Sequence, residues 1–298
     1  MPSGGMAVET ERTSMKSRPK ERIAFQGEAG AFSEEAVRQL LGPDVETVPF
    51  TWFDAVFKAL GKGEVSGAIV PIENTLHGSI HENYDHLQNF GLPIVAETNV
   101  RIVHNLIAVP GVRFHKVRRV YSHPVALAQC LKFFETHPEI ERIPFYDTAG
   151  SVKMLMEQRV TDAAAIASAL AAPAYGAHIL KRSIEDDRAN FTRFFLLRPP
   201  GVQIPTAGDI AWKTSIVFTT KNIPGALFRS LSALALRDLS LTKIESRPFR
   251  GRPWEYLFYV DFLGHIEEPR VKNALSHIAE QADLMRVLGC YPAWGSKG

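Results

Sequence analysis

The sequence predicts an α/β protein with a large N-terminal part and a smaller C-terminal part. Apolar runs alternate with amphipathic helical stretches from residue 22 to residue 197, and this βαβ alternation is typical of the α/β class. The run at 65–72 is continuously apolar, as expected for a strand that is covered on both faces. After a stretch rich in proline and glycine at 199–208, the order changes to βαββαβ, which is the ferredoxin-like arrangement.

Length and composition exclude several classes of protein. A chain of 298 residues with 45% hydrophobic and 22% charged residues suits two globular domains. The net charge of +2, without a basic run, argues against a nucleic-acid partner. No stretch approaches the roughly 20 apolar residues of a membrane span. Cys130 and Cys290 form no CxxC pair, so we expect no disulfide framework and a cytoplasmic location.

The patterns divide the chain into four segments. Residues 1–20 are small, polar and charged, without the apolar core of a secretory signal, and are predicted to be a disordered tail. Residues 21–199 form the larger part. Its first lobe covers about 21–100 and a returning strand at 190–198, and its second lobe covers about 101–189. Residues 200–211 are a linker, and residues 212–292 form the βαββαβ unit.

Polar side chains follow the apolar runs, where a sheet would end. The loop Gly27–Gly30 joins a strand to a helix that Ser33 is predicted to cap, an arrangement that can receive an anion. Ligands in open α/β sheets gather beyond the carboxyl ends of strands, so these positions predict a binding cleft between the lobes. For Thr148 and Ser151, helix capping alone is an equally good explanation. The polar residues at these ends are Ser33, Glu73, Asn74, Thr75, Ser122, His123, Gln129, Thr148 and Ser151.

The segment Asn190–Phe194 puts a hydroxyl and a cation side by side in an apolar strand. A buried arginine needs an anionic partner, so Arg193 is expected to meet either a structural carboxylate or a bound one. Thr192 is either a functional hydroxyl or an ordinary β-branched strand residue.

Four motifs together resemble those of the prephenate and arogenate dehydratase family. They are Pro71–Thr75, Ser122–Pro124 with Ala128–Cys130, Asp147–Ser151, and Asn190–Phe194. The resemblance spans about residues 22–292, because the last third resembles the ACT regulatory domain of that family. It implies a two-lobed, periplasmic-binding-protein-like catalytic domain followed by a ferredoxin-like ACT domain.

The resemblance implies the decarboxylative dehydration of prephenate to phenylpyruvate in L-phenylalanine biosynthesis, with feedback regulation by L-phenylalanine. Aromatisation drives this carbon–oxygen lyase reaction, so we expect no metal and no cofactor. Thr192 is the expected hydrogen-bond or proton donor to the departing hydroxyl, and Arg193 is a candidate clamp for a substrate carboxylate. Glu73 or His123 is the alternative proton source. The expected substrate-binding residues are Asn74, Thr75, Ser33, His104, Ser122, His123, Gln129, Thr148, Ser151, Asn190 and Phe194.

The C-terminal motifs imply an effector site. By resemblance, L-phenylalanine binds at a subunit interface of a homodimer or homotetramer. The residues expected at that site are Pro224, Gly225, Ala226, Leu227, Glu245, Ser246, Arg247 and Pro248.

Three alternatives remain open from the sequence. The segment Asp147–Ser151 is closer to the plant relatives that use arogenate, so arogenate is a second candidate substrate. A cleft beside an ACT-like unit also fits a non-catalytic small-molecule sensor. His77, His81 and His86 invite a metal site, but they do not share one helical face, and a solvated helix face is the better interpretation.

Overall fold

The structure is a computed structural model that describes residues 20–295. The tail predicted at residues 1–20 therefore lies outside the described residues, except for Lys20. The rest divides into two lobes and a C-terminal unit, and the predicted two-lobed, periplasmic-binding-protein-like architecture with a ferredoxin-like unit is confirmed.

The first lobe is a mixed sheet with helices packed on it. Its elements are β1 (Arg22–Gln26), α1 (Phe32–Leu41), β2 (Glu46–Phe50), α2 (Phe53–Gly61), β3 (Gly67–Asn74), β4 (Gly78–Ser79), α3 (His81–Phe90), β5 (Ile94–Arg101) and β11 (Phe191–Leu197). β1 pairs in parallel with β2 and β3. The returning strand β11 lies between β3 and β5 and runs antiparallel to both. A strand from late in the sequence therefore lies between two strands that come much earlier in the chain.

The second lobe has its own five-stranded sheet in the order β10-β6-β9-β7-β8. Its elements are β6 (Asn105–Ala108), a 3-10 turn (Phe114–Lys116), β7 (Arg119–Ser122), α4 (Pro124–Ala128), α5 (Leu131–Glu135), β8 (Glu141–Pro144), α6 (Thr148–Gln158), β9 (Ala163–Ala167), α7 (Ala171–Tyr175) and β10 (His178–Lys181). One hydrophobic cluster joins the lobes, because it contains buried residues of both, including Phe25 of the first and Ala165 of the second.

The C-terminal unit has the predicted βαββαβ order. Its elements are β12 (Trp212–Thr219), α8 (Ala226–Ala235), β13 (Leu241–Pro248), β14 (Tyr256–Leu263), α9 (Pro269–Gln281) and β15 (Met285–Pro292). The sheet order β13-β14-β12-β15 is that of a ferredoxin-like fold, and all its pairs are antiparallel.

The C-terminal unit packs directly on the first lobe. β15 meets β5 through one parallel bridge, Gly289 to Ile94, so the two sheets are continuous. A Cβ at position 289 would lie 2.2 Å from the carbonyl oxygen of Ile94, which explains the glycine. Tyr291 shares a buried cluster with Phe195 of β11. The unit is therefore in contact with the strand that carries Thr192.

Several predicted helix boundaries were wrong for local reasons. The helices expected to be capped by Ser33 and Thr148 have Ala31 and Asp147 as N-caps instead. The carboxylate of Asp147 accepts from the backbone N–H of Gly150 at 2.7 Å, which leaves the side chain of Thr148 free of the capping role.

The sequence pattern over 124–136 predicts one helix, but the structure has two shorter helices there, α4 and α5. The carboxylate of Asp186 accepts from the N–H groups of Leu131 and Lys132, at 2.7 and 2.9 Å, and so satisfies the start of the second helix. Among residues 20–295, none of the helices combines the length and the apolar character that crossing a membrane requires.

Candidate active site

A cavity of about 560 Å³ lies between the two lobes. It is lined by elements of both, at the ends of β1, β2, β3 and β11 and at the starts of α1, α4 and α6. Seven predicted residues line it: Ser33, Asn74, His104, His123, Gln129, Thr148 and Phe194. Thr192, the predicted donor, lines it as well. A cavity of this size suits a small organic molecule.

Thr192 and Asn74 form a hydrogen-bonded pair on the floor of the cavity. They face each other across β11 and β3, and the side-chain Nδ2 of Asn74 donates to the hydroxyl of Thr192 at 3.0 Å. The Oδ1 of Asn74 accepts from the N–H groups of Leu76 and His77, which fixes the amide. The hydroxyl of Thr192 donates to no group among the described residues, so its hydrogen is free for a ligand.

Gln129 links two histidines at the cavity wall. Its Oε1 accepts from Nε2 of His104 at 2.7 Å, and its Nε2 donates to Nδ1 of His77 at 3.1 Å. Burial lowers the pKa of His104, against the raising effect of Gln129 and of two nearby carboxylates. His104 is therefore a neutral imidazole. Within residues 20–295 no His, Cys, Asp or Glu residues converge in threes to hold a metal.

The start of α1 offers backbone donors to the cavity. Its N-cap, Ala31, provides no side-chain acceptor, and Phe32 and Ser33 of its first turn line the cavity. Helix N-termini carry unsatisfied N–H groups and a partial positive charge, so an anionic group of a ligand is stabilised there.

Two residues with ionisable side chains, His123 and Asp147, lie on the other wall of the cavity. Burial lowers the pKa of His123, while the nearby Asp147 carboxylate opposes that shift. Nδ1 of His123 accepts from the N–H of Val125, so Nε2 carries the hydrogen of the neutral ring. Burial raises the pKa of Asp147, partly offset by the N–H of Gly150. Within the described range 20–295, no lysine or arginine lines this cavity.

Arg193 corrects a prediction. It was expected to clamp a substrate carboxylate, but its guanidinium lies on the other side of the sheet and does not line the cavity. Successive strand residues point to opposite faces, so Thr192 and Arg193 cannot both face one ligand. All its nitrogens are engaged: Nε with Glu97 at 2.7 Å, Nη1 with Asp261 at 2.6 Å, and Nη2 with Tyr291 at 3.3 Å. The alternative of structural carboxylates, left open from the sequence, is the correct one.

Glu73 is also turned away from the cavity. Its carboxylate lies 3.1 Å from Nζ of Lys243 in the C-terminal unit. The same Nζ donates to the hydroxyl of Ser79, which is itself hydrogen-bonded to Glu245. The prediction that Glu73 could donate a proton to the substrate is therefore wrong. His123 is the remaining alternative to Thr192 as the proton source.

Four further predicted contacts are structural instead. Ser122 donates to the carbonyl of Ile166, and Ser151 donates to the carbonyl of its own helix start, and both side chains are fully buried. The hydroxyl of Thr75 donates to the carbonyl of Ala189 and accepts from the N–H of Phe191. Asn190 accepts from Asn74 and so orients that amide from behind the cavity.

Comparison with known proteins decides the family. The family model described as prephenate dehydratase matches residues 23–201. The chain belongs to the prephenate dehydratase family. The arogenate dehydratase/prephenate dehydratase 2, chloroplastic, of Arabidopsis thaliana is 44% identical over 292 residues, which cover 95% of this chain and 75% of the relative.

Two solved structures resemble this member of the family along most of its length. One, described as GqqA, a novel type of quorum quenching acylase, has a TM-score of 0.86 and 34% identity, and covers 92% of this chain and 99% of its own. The prephenate dehydratase from Arthrobacter aurescens, solved in complex with L-Phe, has a TM-score of 0.83 and 33% identity, with 91% and 90% covered.

The predicted effector residues fall into two groups in this family member. Ala226 lines a second cavity of about 270 Å³, together with residues of α8, α9 and the preceding loop. None of Glu245, Ser246, Arg247 and Pro248 lines that cavity. Instead, Glu245 and Arg247 face the first lobe, where Arg247 lies 3.3 Å from Asp85.

Some lining residues were missed from the sequence. Gln26 and Thr51 stand at the ends of β1 and β2, so the strand-end rule that selected Asn74 could have found them. Tyr146 reaches the cavity from the loop after β8, and its hydroxyl donates to Glu28 of the opposite lobe at 3.1 Å. That contact joins residues 118 positions apart, which no local pattern signals.

Proposed function

We propose that this protein catalyses the decarboxylative dehydration of prephenate to phenylpyruvate, a carbon–oxygen lyase step of L-phenylalanine biosynthesis. In this proposal residues 21–199 are the catalytic domain, residues 200–211 are a linker, and residues 212–292 are an ACT regulatory domain. The family membership supports the reaction class.

The observation that carries the proposal is the orientation of the Thr192 hydroxyl. Because its oxygen accepts from Asn74, its hydrogen is left for the cavity. The ring carboxylate of prephenate leaves as carbon dioxide, its electron pair forms a ring double bond, and the ring hydroxyl takes up one proton and leaves as water. A donor held against the departing hydroxyl is what this step needs.

The rest of the cavity suits the carboxylates and the ring. The first-turn N–H groups of α1 and the neutral N–H of His123 are the donors that we assign to the substrate carboxylates. Phe32 and Phe194 provide apolar surface for the ring. Because an aliphatic hydroxyl is a very weak acid, Thr192 acts as a positioned donor, and His123 is the alternative source of the proton.

Arogenate is the second candidate substrate. It has an ammonium group where prephenate has a keto group, and Asp147 places a carboxyl group on a cavity wall without lysine or arginine. An ammonium ion beside Asp147 would favour its ionised form. The product would then be phenylalanine.

The deciding experiment is turnover of the purified chain with prephenate and arogenate in parallel, with phenylpyruvate and phenylalanine resolved as products. We expect carbon dioxide release with at least one of them. If both bind and neither is consumed, the proposed reaction is wrong and the non-catalytic sensor replaces it.

L-phenylalanine is the proposed effector. The Arthrobacter aurescens relative was solved in complex with L-Phe, and Pro224–Leu227 of this chain begin α8 beside the second cavity. Calorimetry should detect L-phenylalanine binding to the intact chain and lose it in Gly225→Val, whose glycine has a φ of 75°. Unchanged binding in that variant would move the effector elsewhere.

We also propose a reducing cytoplasmic location, supported by two free, buried cysteines, Cys130 and Cys290. The Arabidopsis relative is named as chloroplastic. Fractionation of the source cells with an antibody to this chain tests the location, and enrichment in an organelle would contradict it.

A further inference from the structure

The two strands under the cavity present one face to the ligand and the other to the C-terminal unit. On β3, Asn74 lines the cavity and the preceding Glu73 faces the C-terminal unit. On β11, Thr192 lines the cavity and the following Arg193 faces the same unit. Asn74 and Thr192 are hydrogen-bonded to each other. Each of them is therefore adjacent in sequence to a charged residue that faces the opposite side of the sheet.

Arg193 ties β11 to the C-terminal unit through a buried ionic cluster. Asp261 of β14 binds Nη1, and its other oxygen accepts from Ser215 of β12. Glu97 of β5 accepts from Arg193 and also from Lys213 of β12 at 2.6 Å. Two cations therefore meet two carboxylates, and all four side chains are at most 13% exposed.

The electrostatics of this cluster favour the paired state. Burial alone would raise the pKa of Glu97, but Arg193 and Lys213 outweigh it and lower that pKa. Removal of one partner would leave a buried charge unpaired, so the guanidinium has one strongly preferred position. Because Arg193 belongs to β11, the backbone of that strand is held in place relative to the C-terminal unit.

Lys243 makes the matching contact on β3. Its Nζ lies 3.1 Å from Glu73 and 3.0 Å from the hydroxyl of Ser79, and its side chain is 9% exposed. Here the cation belongs to the C-terminal unit and the carboxylate to the first lobe, the reverse of Arg193 and Asp261. The contacts on both strands thus come from one rigid sheet, β13-β14-β12.

We propose that the C-terminal unit positions the Asn74–Thr192 pair for catalysis, through Asp261 on Arg193 and Lys243 on Glu73. Arg193 and Glu73 are positioning residues that act through their cavity-facing neighbours. The inference rests on the proposed dehydratase function. A displacement of a donor by about 1 Å can cost about 100-fold in rate, so small movements of these strands matter.

The test compares two full-length variants that each remove one charge from an arginine–aspartate pair. Asp261→Asn weakens the hold on Arg193 with little change in shape. Asp162→Asn is the control, because Asp162 pairs with Arg119 at 2.7 Å on the surface of the second lobe. We expect Asp261→Asn to lower kcat by at least about ten-fold with KM changed by less than about three-fold, and Asp162→Asn to leave both unchanged.

A second comparison separates positioning from general destabilisation. In a Thr192→Ala background, Asp261→Asn should cause little further loss of kcat, because the donor that it positions is already absent. A loss of the same size in both backgrounds would overturn the proposal. If Asp261→Asn does not fold, Lys243→Gln decides by the same comparison, since its partner Glu73 is partly exposed and tolerates the loss.

A spectroscopic readout keeps this inference separate from the proposed function. With threonine methyl groups labelled, the methyl signal of Thr192 should shift in Asp261→Asn and stay in place in Asp162→Asn. If the wild type turns over neither substrate, the proposed function fails and the methyl signal still decides the positioning. If the wild type is active and Asp261→Asn changes neither kcat nor the signal, the positioning proposal alone fails.

Discussion

Thr192 is the residue on which the chemistry depends. The residue is only 8% exposed to solvent, and its hydroxyl oxygen accepts a hydrogen bond from Asn74. A hydroxyl held in this way directs its hydrogen into the cavity. It can therefore stabilise charge that develops on a departing group, although an alcohol is a weak acid.

The first prediction concerns this hydroxyl. Thr192→Ala should lower kcat by at least about 100-fold, the usual scale for a lost acid or oxyanion donor. Thr192→Ser keeps the hydroxyl and should retain most of the activity. Steady-state kinetics of both variants decide, and a loss of only a few-fold in Thr192→Ala would assign proton donation to His123 or another residue.

The second prediction is a pH dependence of stability from His104. Burial holds its pKa below the ordinary value of about 6.5, although Gln129 and the nearby Glu185 and Asp186 favour its charged form. Below about pH 6.5 the unfolded chain binds a proton that the folded protein does not, so the free energy of unfolding falls as the pH falls. Above that pH, His104 is neutral in both the folded and the unfolded state, so this group no longer changes the free energy of unfolding with pH.

Urea unfolding at several pH values between 5 and 8 measures the effect. His104→Gln should give a flatter profile than the wild type, because the proton uptake is removed. His115→Gln changes an exposed histidine and is the control. An equally steep profile in His104→Gln would show that His104 does not carry the effect.

At this scale the sequence predicted eight of the residues that line the cavity and misassigned Arg193. Asn74 and Gln129 follow apolar runs and are selected by the strand-end rule, whereas His104 and the role of Thr192 came only from the resemblance to the family. The prediction that Arg193 binds the substrate was wrong because two adjacent strand residues face opposite sides of the sheet. Its actual partner, Asp261, is 68 residues away in the sequence. Resemblance to a motif names residues without saying which face they occupy.

Among the elements, the loop between β1 and α1 forms a tight contact between the lobes. The hydroxyl of Ser168 donates to the carbonyl of Gly30 at 2.6 Å. A Cβ on Gly30 would lie 2.5 Å from the Cα of Ala171, and its φ is 83°. The glycine therefore permits both the turn and the approach of α7.

The third prediction tests this contact. Gly30→Ala should lower the free energy of unfolding by about 2–4 kcal/mol, from backbone strain together with overpacking. Gly176→Ala is the control, because Gly176 also has a positive φ, of 68°, but open space around it. It should lose only about 1 kcal/mol. Equal losses in urea unfolding would mean that the approach of α7 is not constrained.

Element boundaries depended on contacts that sequence patterns do not contain. The alternation of strands and helices predicted β1, β2, β3, β7, β8, β9 and β11 within a few residues, whereas β5 and β6 were expected as one extended stretch and the short β4 was not predicted. The break between α4 and α5 escaped prediction, because Asp186, which caps α5, lies more than 50 residues further along the chain.

The whole molecule has an exposed apolar surface on its C-terminal unit. Phe228 of α8 and Leu236, the C-cap of that helix, are 75% and 77% exposed, and Ile244 is exposed on β13, the edge strand of the sheet. Large apolar side chains and an open strand edge favour association with a second copy.

The fourth prediction is a homodimer or homotetramer that depends on this surface. The double variant Phe228→Asp with Leu236→Asp should sediment as a smaller species than the wild type in analytical ultracentrifugation. Leu131→Asp changes an exposed leucine of the second lobe and should leave the assembly intact. A wild type that sediments as a monomer at micromolar concentration would contradict this prediction.

At the scale of the molecule, the order of units was predictable and their docking was not. The change from βαβ alternation to βαββαβ marked the C-terminal unit. Its contacts with β11 and β3 include those of Asp261 and Lys243, which lie on the neighbouring strands β14 and β13, and no local sequence pattern distinguishes these two residues from solvent-facing ones.

The central position of β11 also bears on how the protein is made. On the ribosome, β3 and β5 are synthesised about 120 and about 90 residues, respectively, before the strand that fills the gap between them. Until then, two open strand edges with apolar neighbours are available for wrong pairing. The nascent first lobe cannot complete its sheet before residue 197 is synthesised, so protection by chaperones is most useful to this chain during that interval.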